Sequence, residues 1–287
     1  MTLLLVSTHE HLLKVKLHAS LEGADVFVYA GGARYYGIAQ TPQGDVFVVK
    51  NTRNTEDPSR IIHLQSDEIL PFETPIKDVH QISYANDGIY VCNTFYNSIV
   101  YKSLRTGVEH AHTFGGAFEH DFAHPNSVWI DGQEISVLLH NKRFRVSEIA
   151  RVRHDPARGF DDGWRSELRY RLPHQACHNL RFDRALLRYL ASEDARLVDI
   201  DHIAGRPLRS TPLPPGYAKG MTLIDDRTMV VGLNPMVSAR ERYAARSSLG
   251  FVDLVDMGFK HGLKISLPGD VPAGNINDIR VIRGDFT

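Results

Sequence analysis

The chain has 287 residues and a mass of 32.3 kDa, which is long enough to bury a sizeable apolar core in one large domain. Its 33 basic and 34 acidic residues give a formal net charge of −1, so the composition argues against a general nucleic-acid-binding protein. Two cysteines exclude a disulfide-stapled scaffold, and the lack of a long apolar run or a basic leader predicts a cytoplasmic protein without membrane contact.

A short phrase recurs six times along the chain: a polar, a small and an apolar residue, then a turn and an apolar strand. The copies open at Tyr36, His80, Asn126, His178, Lys219 and Asn277. They lie 41 to 58 residues apart, and two further short strands follow most copies. Four short antiparallel strands in roughly every 40–50 residues are typical of a β-propeller blade.

The last copy lies close to the C-terminus, so no partner strands follow it. Predicted strands at Leu3–Ser7, Leu12–Leu17 and Asp25–Tyr29 supply the three strands that this last blade lacks. If the chain ends meet, the sixth interval, counted from Asn277 through the C-terminus and on from the N-terminus to Tyr36, is 46 residues. We therefore predict an all-β, six-bladed β-propeller that forms a single domain over residues 1–287 and is closed by pairing of the N-terminal and C-terminal strands. An irregular β-sandwich, the alternative, does not explain the near-equal spacings.

The six opening residues are expected to form a ring at one mouth of the propeller's central channel, because the first strand of each blade lines that channel. Five of them carry obvious donor, acceptor or ligand groups and the sixth is Tyr36. This polarity predicts a small-molecule site at the mouth. The alternative is a structural ring whose members bond to one another and to water in the channel.

Two phrases, Ala85–Thr94 and Tyr217–Met221, make the chain resemble the superfamily of six-bladed propellers that includes SMP-30/gluconolactonase, NHL-like and strictosidine synthase-like proteins. In the SMP-30-like enzymes, metal ligands lie at strand openings written Asn-Gly-Ile and Asp-Gly-Met. These openings match His178–Leu180 and Lys219–Met221 here. A histidine thus replaces the family asparagine, and a lysine replaces the aspartate that binds metal and is the proposed general base. The resemblance implies the fold, and these replacements predict a departure from calcium-dependent lactonase chemistry.

The predicted ring is poor in carboxylates, which calcium favours as ligands. His80 and His178 lie on either side of Asn126 in blade order, and His124 or His140 is placed to add a third imidazole. Imidazole and amide ligands suit a divalent transition metal better than calcium, and an open coordination position would activate water or substrate. We predict a metal-assisted hydrolase or lyase that acts on a polar or anionic small molecule at the channel mouth.

A metal-free enzyme is the first alternative. A lysine that is desolvated in the channel beside histidines has a lowered pKa, so Lys219 would act as a base or as a Schiff-base nucleophile. Tyr36 would then serve as a proton donor. The second alternative is a non-catalytic propeller that binds a ligand or a protein.

Anion binding is predicted for the longest insertion between repeats, which follows the second strand of its unit and should overhang the same mouth. It contains Arg240, Arg242 and Arg246, and arginine pairs well with carboxylate and phosphate groups. We assign these three residues, together with Asn277, to substrate binding.

Overall fold

The computed structural model describes residues 2–54, 57–115, 121–143, 145–158, 164–183, 186–265 and 267–283, and it is a six-bladed β-propeller. Each blade is a four-stranded antiparallel sheet. Blade 1 comprises β1 (Thr2–Thr8), β2 (His11–Leu17), β3 (Ala24–Gly31) and the C-terminal strand β24 (Ile276–Val281). Blade 2 comprises β4 (Arg34–Gln40), β5 (Val46–Asn51), β6 (Arg60–His63) and β7 (Glu68–Leu70).

The remaining four blades follow in chain order. Blade 3 comprises β8 (Ile82–Ala85), β9 (Gly88–Asn93), β10 (Ser98–Ser103) and β11 (Glu109–Thr113). Blade 4 comprises β12 (Pro125–Asp131), β13 (Glu134–Leu139), β14 (Glu148–His154) and β15 (Trp164–Arg171). Blade 5 comprises β16 (Cys177–Asp183), β17 (Leu186–Ala191), β18 (Arg196–Asp201) and β19 (Arg206–Pro212). Blade 6 comprises β20 (Tyr217–Leu223), β21 (Thr228–Asn234), β22 (Ser248–Asp253) and β23 (Gly258–Lys264).

Three short 3-10 helices complete the described elements, at Asn141–Arg143, Glu241–Ala244 and Pro268–Asp270. The second of them lies in the arginine-containing insertion. None of the described residues forms a helix that is long and apolar enough to span a membrane.

The predicted closure of the ring is confirmed. Strand β24 is the innermost strand of blade 1 and pairs antiparallel with β1, with Leu4 opposite Val281 and Val6 opposite Ile279. This pairing joins the two ends of the chain inside one sheet, so the inner edge of blade 1 is not left without a strand.

The apolar core is divided among the contacts between blades. Each of the six buried clusters draws residues from two neighbouring blades; one, for example, joins Leu5 and Leu12 of blade 1 to Ile38 and Val48 of blade 2. Burial of these side chains stabilises the ring by roughly 1.5–3 kcal/mol for each large aliphatic residue. The third residue of the repeated phrase belongs to this core in every copy: Ile38, Ile82, Val128, Leu180, Met221 and Ile279.

The second residue of the phrase connects one blade to the next. The side-chain oxygen of Gln81 accepts a hydrogen bond from the Val128 amide at 2.7 Å, and Asn179 accepts one from the Gly220 amide at 2.7 Å. Gly37 has no side chain, and a Cβ atom there would lie 2.4 Å from the Ile82 nitrogen. The second residue of the phrase is therefore not always small, as Gln81 shows. The space between neighbouring inner strands determines which side chain fits there.

Candidate active site at the channel mouth

A cavity of about 570 Å³ lies at the end of the channel where the inner strands begin. Among the six predicted ring residues, five line it: Tyr36, His80, His178, Lys219 and Asn277. Asn126 is buried and is not among the lining residues; its amide nitrogen donates to the Cys177 carbonyl oxygen at 2.9 Å. Its Oδ1 has no hydrogen-bond partner among the described residues.

Aromatic and imidazole rings encircle the mouth and pass once through all six blades. Successive ring centroids are 4.8 to 5.7 Å apart. The order around the mouth is Tyr243, His9, Tyr36, His80, His124, His140, His178 and Tyr217. The four predicted metal-binding histidines thus form a row in which the rings of His124 and His140 lie between those of His80 and His178.

Two of these histidines are paired with carboxylates. Asp121 Oδ1 lies 2.5 Å from His124 Nδ1, and the other oxygen of Asp121 is bound by the amine of Lys142. Asp78 Oδ2 lies 3.7 Å from His80 Nε2. A carboxylate on one ring nitrogen fixes the orientation and tautomer of the imidazole, an arrangement found in acid–base catalysis and around metal ions alike.

Cations dominate the opposite part of the wall. Lys219, on β20, places its amine 4.8 Å from the centre of the Tyr36 ring. Arg34 and Arg242 line the same cavity, and Arg34 is held by a hydrogen bond of 2.8 Å from Nε to the Thr52 carbonyl oxygen. The mouth therefore presents an amine and two guanidinium groups to a ligand.

The environment strongly changes the protonation of the lysine. Burial, and then the positive charge of Arg242, lower the pKa of the Lys219 amine to about 7, although Asp78 and Asp278 act in the opposite direction. A large fraction of this amine is consequently neutral near pH 7, where it has a free electron pair.

Burial also keeps three histidines of the wall, His9, His80 and His178, neutral near pH 7. Burial and the charge of Lys219 lower the pKa of His9 to about 3 and that of His80 to about 4. The same two causes hold the pKa of His178 well below its ordinary value. Burial, and then the charge of Asp78, raise the pKa of Tyr36 to about 12, so its hydroxyl stays protonated.

Burial alone would raise the pKa of the Asp78 carboxyl. The contact with His80 and the charges of His124 and Arg34 outweigh it, and the pKa of Asp78 lies well below its usual range. The mouth therefore holds the ionised Asp78 carboxylate beside the neutral imidazole of His80.

Only one of the three predicted arginines lines the cavity. Arg242 does so, while Arg246 is exposed and forms an ion pair of 2.5 Å with Asp270. Arg240 is exposed and is not a lining residue. Arg242 lies within the 3-10 helix Glu241–Ala244, whereas Arg240 precedes this helix and Arg246 follows its C-cap residue Ala245.

Several lining residues were missed because they precede the repeated phrase by two positions. They are Arg34, Asp78, Tyr217 and Asn275, whereas His124, at the same position of its copy, was recognised from the sequence. The fourth copy has Ala176 at this position. Beginning the repeat two residues earlier would have revealed a second polar ring above the first. His9 was also missed, although it directly follows the second strand of its blade, as the recognised His140 does.

Metal binding remains a prediction. Within the part of the chain that the structure describes, no three His, Cys, Asp or Glu side chains are placed to hold a metal ion. Acceptor atoms without hydrogen-bond partners among those residues do occur at the mouth: His80 Nδ1, Asn126 Oδ1, Asn275 Oδ1 and Asn277 Oδ1. A ligand with donor groups, or an ion, would satisfy them.

No protein-family model and no curated protein matches the sequence. Similar solved structures include a chain of a nidogen/laminin complex, at 11% identity and a TM-score of 0.71 over 99% of both chains. A putative 6-phosphogluconolactonase from Bacteroides fragilis matches at 10% identity and a TM-score of 0.63 over 98% of both chains. Virginiamycin B lyase from Staphylococcus aureus, in a catalytically inactive variant with quinupristin, matches at 16% identity and 0.55, over 83% of this chain and 71% of that one. These likenesses support the six-bladed propeller fold.

Proposed function

We propose that the protein is a small-molecule hydrolase or lyase that acts on an anionic substrate at the mouth of the central channel. One observation carries this proposal: the Lys219 amine faces a cavity that also contains the guanidinium groups of Arg34 and Arg242. The cations can hold an anion while the amine, with its pKa near 7, moves a proton. A lactonase and a lyase share the fold, which makes an enzyme plausible.

Substrate binding is assigned to Arg34 and Arg242. A guanidinium group can donate two parallel hydrogen bonds to a carboxylate or phosphate, which fixes both the position and the orientation of the anion. Asn277 offers its Oδ1 to a substrate hydroxyl, since its Nδ2 is already bound to the Tyr35 carbonyl oxygen at 2.6 Å. The anion therefore lies beside Lys219.

Proton transfer is assigned to Lys219. The neutral amine takes a proton from the substrate or from an attacking water, and the resulting ammonium group is destabilised by Arg242 and Arg34. It therefore returns the proton readily to the leaving group. The His124 ring, which Asp121 orients, is the second candidate for moving a proton.

The metal-assisted version of the reaction is kept as a second candidate because of the two carboxylate–histidine pairs and the unpartnered acceptors described above. Its ligands would come from His80, His124, His140, His178 and Asn126. A bound divalent transition metal would supply Lewis-acid activation. The non-catalytic alternative is a protein-binding propeller, and one similar fold is a chain of a nidogen/laminin complex.

The proposed function is tested by incubating the protein with a panel of small lactones and hydroxy acids that carry a carboxylate or phosphate, and following turnover by proton NMR. We expect turnover in the wild type, a loss of more than about 100-fold in Lys219→Met, and weaker substrate binding in Arg242→Gln. Arg246→Gln is the matched control, since this arginine lies outside the cavity. Binding of such anions without any turnover would favour a non-catalytic propeller.

A further inference from the structure

A second cavity, of about 680 Å³, lies at the opposite end of the channel, where the inner strands finish. Most of its wall comes from the last residues of β4, β8, β16, β20 and β24. This cavity is separate from the candidate active site, because the two have no lining residue in common.

The wall of this second cavity repeats with the blades. In five blades the pairing of the inner strand with its neighbour shifts by one residue near the channel mouth, as it does between His178 and Leu180. A bulge adds one residue, so side chains three positions apart face the same way. Three residues after the first ring come Ala39, Ser83, Trp129, Arg181, Thr222 and Arg280, and all of these except Trp129 line the second cavity.

Two arginines in this lower ring flank a threonine. Arg181, Thr222 and Arg280 belong to blades 5, 6 and 1, so the hydroxyl-bearing residue lies between two guanidinium groups on consecutive blades. The Arg181 guanidinium lies over the Trp129 ring, 5.8 Å from its centre, and Arg280 Nε donates to the Ile38 carbonyl oxygen at 3.1 Å. Both arginines are thus held in place.

A third arginine joins them from the end of the chain. The side chain of Gln40 bonds to both backbone groups of Arg283, accepting from its nitrogen at 3.1 Å and donating to its oxygen at 2.8 Å. The described lining residues include these three arginines and no acidic side chain. The buried Asp278 carboxyl, 3.5 Å from Arg280 Nε, offsets at most one of the three charges.

We propose that this lower cavity binds a small oxyanion, a phosphate or carboxylate group, between Arg181 and Arg280, with Arg283 at its rim. Guanidinium groups and hydroxyls are the usual partners of such anions in proteins. The site is independent of the reaction proposed for the upper mouth, and it gives the channel an anion-binding group at each end.

Trp129 provides a local probe for this site. The chain has two tryptophans, so Trp164→Phe leaves Trp129 as the sole tryptophan. We expect potassium phosphate to change the Trp129 emission in a saturable manner, whereas potassium chloride at the same ionic strength does not. A parallel titration with succinate shows whether phosphate or carboxylate is preferred.

The variants Arg181→Gln and Arg283→Gln should each weaken the apparent affinity about tenfold or more, because each removes a charged hydrogen-bond donor. Arg60→Gln on β6 is the control and should leave the affinity unchanged. Isothermal titration calorimetry with the same variants, made in an Arg242→Gln background so that the upper mouth contributes less, gives a readout that does not depend on tryptophan. Equal responses to phosphate and chloride, or full affinity in both lower-cavity variants, would overturn the proposal.

Discussion

The Lys219 amine lies 4.8 Å from the centre of the Tyr36 ring, although these residues belong to blades 6 and 2 and all of blade 1 lies between them. The contact exists because the inner strands converge on a narrow channel, so that opening residues of non-adjacent blades come together. It places a desolvated amine against an aromatic face, with Arg34 and Arg242 in the same cavity. The candidate chemistry of the protein depends on this convergence.

Substitutions of Lys219 separate charge from proton transfer. Arginine keeps the positive charge but does not lose a proton near neutral pH, so Lys219→Arg should retain substrate binding and lose more than about 100-fold in kcat. In the wild type, kcat/KM should rise with pH up to a plateau above about 7, because the neutral amine is the active form. Full turnover in Lys219→Arg would show that the lysine is only an electrostatic anchor.

Metal content is tested on protein purified without a histidine tag. If the metal-assisted version holds, the wild type carries a stoichiometric divalent transition metal, and His80→Ala and His178→Ala lose metal and activity together. Elemental analysis and kinetics on the same samples give the two quantities. Full activity in protein stripped of metal by a chelator would rule out the metal-assisted reaction, and only the lysine mechanism would remain.

A buried histidine pair should make the fold sensitive to acid. His154 Nε2 lies 2.8 Å from His110 Nδ1, and His154 Nδ1 lies 2.9 Å from the Tyr90 hydroxyl. Burial, and then the neighbouring His110, lower the pKa of His154 from 6.5 to about 3. Between these values the unfolded chain binds a proton that the folded chain excludes, so stability present above pH 6.5 is lost as the pH falls toward 3.

Between these two pKa values, a histidine that is protonated only in the unfolded chain changes the free energy of unfolding by about 1.4 kcal/mol per pH unit. Urea unfolding at several pH values should therefore show a shallower slope for His154→Gln than for the wild type. Tyr90→Phe is the control, because it removes a partner of His154 without removing a group that titrates between pH 3 and 7. An unchanged slope in His154→Gln would refute this origin of the acid sensitivity.

Closure of the ring gives a prediction about folding. A chain that lacks residues 278–287 loses most of β24 and exposes the inner edge of blade 1, so we expect no cooperative thermal unfolding transition. A chain that ends at Arg283 keeps β24 complete and should unfold cooperatively. Circular dichroism of both proteins provides the comparison, and a cooperative transition in the shorter one would contradict the structural role of this strand.

The sequence predicted the fold because the repeated phrase records two physical constraints at once. Its third position must be apolar for the core, as at Ile38, and its second must fit between inner strands, as at Gly37. The site was predicted less well. Arg34 and Asp78 lie two residues before the phrase, so the repeat as defined did not include them. Arg240 precedes the 3-10 helix Glu241–Ala244 and Arg246 follows it, and periodicity does not predict the side-chain directions of such an irregular segment.

The pKa of Lys219 is the most direct test of the central claim, which is that the channel mouth holds a lysine poised for proton transfer. It can be measured by an NMR titration of labelled lysine side chains, with Lys219→Arg used to assign the resonance. We predict a midpoint near 7, well below the ordinary lysine value of 10.5. A midpoint near 10.5 would mean that the amine stays charged at neutral pH, and it would contradict the proposed role.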